Sequence, residues 1–410
     1  MRVLLVGHAI SPLRGSEPGN TWNWAWELSK HIEVVVLAHP HYRKEVEAFL
    51  AQVPNPNLKV VWVEVEKPWD PWRPQKGERG IRLHYLIWQK RVVKVASRLH
   101  RESPFQLAHH VSWSSIRTCP ALSKMGIPFV WGPVGGGQIA PRAFRHYFGE
   151  VWIKETFRSL MSKLLPYDPT WLRKVRNASL ILATNKETAH MLEKVRGKAQ
   201  LFLDCGVRSG FGLSEPPVFG DRRRGEPFRL LWASRFEAIK ALPLALEALQ
   251  RARCHVELWV AGDGPLRRRW TDLVANMGLR ERVKFLGMVP HEEMPTVFRE
   301  ADAFVFTSLR DSFGSVVLEA MAWGLPVIVP DHQGVGTFVP EGAGIKFPVE
   351  SPERTVRYLA EAIELVASRP DLREKMARES WSFAQMERWD RRAERMLSLY
   401  EKLVTEKGRN

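Results

Sequence analysis

Two linked runs, Ala303-Phe-Val-Phe-Thr307 and Asp311-Ser-Phe-Gly-Ser-Val-Val-Leu-Glu319, decide how this chain is read. The first is short, apolar and rich in aromatic and β-branched residues, which predicts a strand buried on both faces in a parallel sheet. In the second, Gly314 gives the backbone freedom to turn, and Val316 to Trp323 reads as a helix stopped by Gly324 and Pro326. A strand-turn-helix unit aims unpaired N–H groups and the positive end of a helix dipole into the crevice beyond the strand, a natural phosphate site. Asp311 stands at the mouth and Glu319 lies eight positions further on, within the helix. Carboxylates accept hydrogen bonds, so beside a phosphate cradle they suit ribose or hexose hydroxyls. In the plainer reading Asp311 caps the helix and Glu319 faces solvent; these residues alone leave both readings open.

Outward from this unit the chain alternates apolar runs with longer amphipathic stretches. Strands are expected at 3–6, 34–37, 60–65, 107–109, 128–131 and 180–183, then at 230–233, 256–260, 283–286, 303–306 and 327–329. That is a βαβ rhythm stated twice, the mark of an α/β protein. Gly206 to Pro227, with Pro216-Pro217 and Arg222-Arg-Arg224, lacks any period and reads as the boundary. A chain of 410 residues accommodates two domains, each with its own core. Residues 1–205 form the first in this division and 206–385 the second, with 386–410 as a C-terminal helix. Hydrophobic residues make up 45% and charged residues 26%, a globular balance, and no run reaches the ~18 apolar residues of a membrane span. Met1-Arg-Val-Leu-Leu-Val-Gly7 suits a first strand better than a signal peptide. Cys119, Cys205 and Cys254 show no metal spacing, and a cytoplasmic location is expected.

Four segments in fixed order carry a family resemblance. Asp311 to Trp323 resembles the E-x(7)-E signature of the retaining nucleotide-sugar glycosyltransferases of family 4, glycosyltransferase group 1, with Asp in place of the first Glu. Ala233-Ser-Arg235-Phe-Glu-Ala-Ile-Lys240 is similar to that family's G-R-L-x(3)-K-G strand end, Val260-Ala-Gly262-Asp-Gly264-Pro265-Leu to its G-x-G-P-L turn, and Val283-Lys-Phe-Leu286-Gly287-Met-Val-Pro290 to its F-L-G-x-V-P strand end. An ordered set is far more specific than any one motif. The resemblance implies the GT-B fold: two Rossmann-like doubly wound domains facing each other across a cleft, the last helix crossing back to the first domain. It also implies sugar transfer from a nucleoside-diphosphate sugar to a hydroxyl acceptor (a glycan, a lipid-linked molecule or a small molecule), with retention at the anomeric carbon.

Charge determines the expected division of labour. Stabilising the departing diphosphate lowers the barrier. No D-x-D occurs in the chain to hold a divalent cation, so the expected reaction needs no metal and no cofactor. Arg235 and Lys240 supply positive charge instead, the Arg able to grip phosphate bidentately, and the amides of Ser312, Phe313, Gly314 and Ser315 add the helix dipole. Asp311 is expected to hold sugar hydroxyls and Glu319 the ribose, with backbone near Gly262 and Leu286 serving the base. Against this, 61 Lys and Arg residues make any basic pair common.

The first domain offers two glycine loops. In Ser11-Pro-Leu-Arg-Gly-Ser-Glu17-Pro-Gly19-Asn20 there is no G-x-G-x-x-G fingerprint. The resemblance places Gly19 and Asn20 beside the donor phosphates and Glu17 within reach of an acceptor hydroxyl; an N-capping turn is the plain alternative. Gly135 and Gly136, in Trp131-Gly-Pro-Val-Gly-Gly-Gly-Gln138, read as a close approach to a ligand, expected to be the acceptor, or as a moving lid. His109 and His110 end a strand where the family has V-H-x-H; the resemblance sets His109 against the reacting sugar, with His110 as its substitute on the acceptor side. A structural histidine pair is the competing reading.

Net charge is +16. Basic stretches with large apolar residues, Ile81 to Arg101 and Val151 to Arg176, suit either the anionic headgroups of the inner plasma-membrane face or ordinary packing on a sheet. Peripheral attachment there, serving an envelope polysaccharide or lipid-linked acceptor, is one expectation. An epimerase or phosphorylase of the same fold lacks its own motif here, and a nucleic-acid binder is supported by charge alone.

Overall fold

The structure is a computed structural model, and it describes residues 1–66, 70–74, 77–118, 122–196, 199–217 and 226–408. Cys119, Arg222 to Arg224 and part of the Pro-rich segment before Asp70 lie outside these. The chain divides into two compact units, one of residues 1–137, 162–205 and 389–410, the other of 138–161 and 206–388.

Unit 1 holds β1 (Arg2–Val6), β2 (Glu33–Ala38), β3 (Leu58–Trp62), β4 (Leu107–His110), β5 (Phe129–Val134), β6 (Leu180–Ala183) and β7 (Gln200–Leu201). Among the described residues they form one parallel sheet in the order β3-β2-β1-β4-β5-β6-β7. Unit 2 holds β8 (Phe228–Ala233), β9 (Val256–Ala261), β10 (Val283–Gly287), β11 (Ala303–Val305), β12 (Val327–Pro330) and β13 (Gly344–Phe347). Its sheet, again parallel, runs β10-β9-β8-β11-β12-β13. In each sheet the strand order reverses once, between β1 and β4 and between β8 and β11. Such switch points open a crevice beyond the strands' carboxyl ends, where doubly wound sheets take their ligands.

Both sheets are covered on both faces, which explains strands that read as unbroken apolar runs rather than alternating ones. Val3, Leu4, Leu5 and Val6 are fully enclosed, as are Ala303, Phe304 and Val305. Each large side chain so enclosed contributes about 1.5–3 kcal/mol relative to exposure. β7 and β13 were not expected; one is two residues long and exposed, the other opens with a glycine.

One feature departs from the division read in the sequence. Residues 138–161 group with unit 2 rather than with the first domain. There Phe144, Tyr147 and Phe148 pack with Trp232, Phe236 and Trp270, and the Tyr147 hydroxyl donates to Glu247 at 2.8 Å. The last helix, Trp389–Gly408, groups with unit 1, burying Trp389, Ala393, Met396 and Tyr400 beside Trp24 and Leu28. The basic stretch 151–176 is two helices, Val151–Leu164 and Pro169–Arg176, the second N-capped by Asp168.

Candidate functional site

At the switch point of unit 2, Lys240 leaves the turn after β8 and Asp311 the loop after β11. Lys240 Nζ lies 2.5 Å from Asp311 Oδ2, both side chains about four-fifths shielded from solvent. The loops that carry them are tied together beneath the pair. Thr307 donates its hydroxyl to the Lys240 carbonyl at 2.9 Å and accepts from the Trp232 indole at 3.0 Å. Asp311 N–H donates to Gln333 Oε1 at 2.7 Å, and Ser312 N–H to Asp311 Oδ1 at 3.0 Å. Asp311 is therefore held in place by the backbone that presents it.

The helix after this loop runs Ser315–Ala322, and Gly314 at its N-cap offers no side-chain cap. Val317 N–H donates to the Gly314 carbonyl at 2.9 Å, which leaves Ser315 and Val316 as the first-turn N–H groups that can serve another acceptor. Gly314 has φ 98°, and a Cβ there would fall 2.7 Å from the Phe306 ring, so only glycine fits this turn. Phe313 is fully buried, so it can offer a ligand only backbone, whereas Ser312 is half-buried and Ser315 exposed. Glu319 is half-buried in this helix, and burial of its carboxyl pushes it up to about 7, with the charge of Arg208 pulling the other way. Arg235 stands beyond β8, its side chain 74% exposed and 3.2 Å from Glu237. Gly262 has φ 128°, and a Cβ would meet the Ser234 carbonyl at 1.9 Å; it lets the β9 loop close on the β8 loop. Leu286, one residue before the end of β10, is half-buried. These residues share one edge of the sheet. A Lys cation, a free helix terminus and two carboxylates in that arrangement can hold a phosphorylated, hydroxyl-rich ligand.

In unit 1 the loops after β1, β4 and β5 meet at the other switch point. Ser114 N–H donates to Glu17 Oε1 at 2.8 Å, and Gly135 N–H to the Ser114 carbonyl at 3.0 Å. Burial raises the Glu17 carboxyl to about 7, the Ser114 amide opposing and Asp204 adding to the rise. Asn20 donates from its side chain to the Asp204 carbonyl at 2.9 Å, and Gly19 is buried. Gly136 has φ 109°, with Ile116 where a Cβ would point.

His109 corrects the expectation drawn from the resemblance. It has no exposed surface: Tyr400 donates to Nδ1 at 2.5 Å, and Nε2–H donates to the Gly132 carbonyl at 2.7 Å. Burial lowers its pKa to about 4. With both nitrogens spent inside the unit, the ring fixes the last helix to the sheet and is not set against a sugar. His110, one residue on, faces the other side of the sheet. Its Nε2 lies 2.8 Å from the Tyr85 hydroxyl, while Nδ1 is buried with no partner among the described residues.

Sequence reasoning missed Gln333, which holds Asp311, and a pair of arginines beside it. Arg310 and Arg158 share the buried carboxylate of Glu155 at 3.0 and 2.7 Å, and burial lowers the Arg310 pKa. No local spacing announces a contact between residues 155 and 310. Sequence reasoning also missed three histidines of unit 1, His8, His39 and His84, whose ring nitrogens gather within 4.8 Å.

Residues 219–380 match the family model of glycosyl transferases group 1. Alpha-D-kanosaminyltransferase of Streptomyces kanamyceticus is 31% identical over 175 residues, which is 42% of this chain and 42% of that protein. The matched stretch thus spans less than half the length of this curated relative. Among solved structures, sucrose-phosphate synthase from Thermosynechococcus elongatus has a TM-score of 0.66 at 19% identity, covering 98% of this chain and 99% of the other. HepE of Anabaena, solved with UDP and glucose, has a TM-score of 0.60 at 15% identity, covering 97% and 99%. These likenesses extend over both units and establish the architecture. Residues 219–380 thus carry the likeness to glycosyl transferases group 1, and the fold is that of the GT-B glycosyltransferases.

Proposed function

We propose that this protein transfers a hexosyl or pentosyl group from a nucleoside-diphosphate sugar to a hydroxyl acceptor, with retention of anomeric configuration. The observation that carries this reading is the Lys240–Asp311 pair at the switch point of unit 2, beside the uncapped helix that bears Glu319. Lys240 and the N–H groups of the first helical turn receive the diphosphate, and the exposed Arg235 adds a second cation. Asp311, already held by Gln333, takes sugar hydroxyls, and Glu319 takes the ribose. As the anomeric C–O bond breaks, negative charge gathers on the leaving diphosphate, where these groups stabilise it without a metal ion.

Unit 1 binds the acceptor through Glu17, Gly135 and Gly136, and Gly19 and Asn20 carry the donor contact that the family resemblance implies. His110 is buried as well, its Nε2 beside the Tyr85 hydroxyl, so it is no better placed than His109 to meet a sugar. Glu17, brought to about 7 by burial, is poised to accept the acceptor's proton near neutral pH.

The protein is proposed to work at an anionic membrane surface. Ile153, Phe157 and Leu160, on one basic helix of unit 2, are 78%, 64% and 52% exposed. Among the described residues no helix is long and apolar enough to cross a membrane. Pelleting with vesicles containing anionic lipid at low salt tests this part, and no binding would sink it.

A panel of UDP-, GDP-, ADP- and dTDP-sugars tests the transfer itself, scored by slow hydrolysis and by NMR of the released anomer. The expected result is turnover of at least one donor with the donor's configuration kept in the product. Hydrolysis of none, or inversion, contradicts the reading.

A further inference from the structure

His8 follows β1, His39 follows β2, and His84 lies in the first turn of the helix Ile81–Glu102. One ring nitrogen from each falls within 4.8 Å of the others. The Nε2 atoms of His8 and His84 are 3.1 Å apart, and Asp70 Oδ1 lies 2.7 Å from His84 Nδ1. His84 thus donates Nδ1–H to the carboxylate and turns the Nε2 lone pair towards His8. His8 and His84 are buried and His39 is half-buried. The His39 amide donates to the His8 carbonyl at 2.9 Å, which fixes the two strand-end loops against each other.

A hydrogen-bond chain from Asp70 through His84 to His8 accounts for two of the rings. It leaves the third unexplained: His39 Nδ1 is buried and has no partner among the described residues. Such an orphan costs about 1–3 kcal/mol. The ring nonetheless packs against both of the others, at centroid distances of 5.1 Å from His8 and 4.9 Å from His84. Aromatic walls close the cluster, with Trp72 5.0 Å from His84 and Trp88 4.9 Å from His8.

We infer that His8, His39 and His84 form a binding site for a first-row divalent transition-metal ion of the Zn²⁺ class. Three imidazoles with one position left to water is a known donor set for such an ion, and a carboxylate on the far nitrogen of a ligating histidine is its usual support. Tetrahedral Zn–N bonds place ligand nitrogens about 3.3 Å apart, close to the separation of His8 and His84. The third nitrogen needs to close in by no more than about 1.5 Å to reach that spacing, a small movement for a half-buried residue at a strand end. The bound ion ties the ends of β1 and β2 to the start of the helix Ile81–Glu102. It takes no part in the donor chemistry proposed for unit 2.

The test uses the full chain with any affinity tag removed, dialysed against Zn²⁺ or Co²⁺ and assayed for bound metal, for the visible Co²⁺ spectrum and for thermal unfolding. The expected result is one ion per chain at micromolar free metal, intense four-coordinate Co²⁺ bands and a raised Tm reversed by chelator. His39→Ala is expected to weaken binding at least 100-fold, and Asp70→Asn, which keeps all three ligands, by about 10–100-fold. Failure of the wild-type chain to retain an ion overturns the inference. So does unchanged affinity in Asp70→Asn, a conservative change that decides the matter even if His39→Ala does not fold.

Discussion

Lys240 Nζ and Asp311 Oδ2 stand 2.5 Å apart, joining the turn after β8 to the loop after β11 where the sheet order reverses. The cation that is to meet phosphate is therefore already engaged, and a ligand must share it with Asp311. Asp311→Asn removes the competitor while keeping the shape. Nucleoside diphosphate is expected to bind as tightly or several-fold tighter, while sugar transfer falls about 10²-fold because the hydroxyl contact is weakened. Calorimetry and steady-state rates check the two arms separately; parallel losses in both would mean that Asp311 merely supports the loop.

Lys240→Ala leaves Asp311 without its cation in a largely shielded place. Transfer is expected to drop about 10²–10³-fold. In a double-mutant cycle with Asp311→Ala, the coupling in the free protein is expected to be about 1–2 kcal/mol, measured by denaturant unfolding.

Glu319 gives a pH signature. Its carboxyl is raised to about 7 chiefly by burial, so between about pH 4.5 and 7 the folded state holds a proton that the unfolded state has lost. The sign follows: the stability this group contributes is present below pH 4.5 and is lost as pH rises through 7. Glu319→Gln is expected to remove about 2 kcal/mol of the fall in stability of unit 2 between pH 5 and 7.5. Denaturant curves of wild type and variant at the two pH values test it, and equal slopes would count against a buried, protonated Glu319.

The sequence made much of this legible, for identifiable reasons. Strands enclosed on both faces must be apolar throughout, so Leu180–Ala183 and Val256–Ala261 could be read within a residue. The glycine turns at Gly262 and Gly314 were visible because positive φ leaves little choice of residue. What stayed hidden depends on contacts between distant positions. Tyr400 lies 291 residues from His109, and that bond turns a supposed sugar contact into a core anchor. Residues 138–161 carry no composition break to mark their move into unit 2. The histidines at 8, 39 and 84 have no local spacing at all.

Tyr400→Phe separates the two views of His109. Losing the hydroxyl leaves Nδ1 buried and unpaired, at a cost of about 1–3 kcal/mol in stability. Transfer per folded molecule is expected to stay within about twofold of wild type, since neither residue touches substrate. A drop of tenfold or more at unchanged Tm would restore His109 to the reaction.

Gly314→Ala probes the turn that opens the phosphate-facing helix. Its positive φ and the Phe306 ring 2.7 Å from the added Cβ both oppose the change. The expected loss is about 2–4 kcal/mol, seen as a lowered unfolding midpoint, with nucleotide affinity falling in the fraction that remains folded.

The most direct test of the central claim, that the Lys240–Asp311 edge of unit 2 receives a nucleoside diphosphate, is isothermal titration of wild type and Lys240→Ala with UDP, GDP, ADP and dTDP. The account predicts one-to-one binding of at least one of them at micromolar Kd and a loss of tenfold or more in Lys240→Ala. Binding of none of the four, or equal affinity in the two proteins, would contradict it.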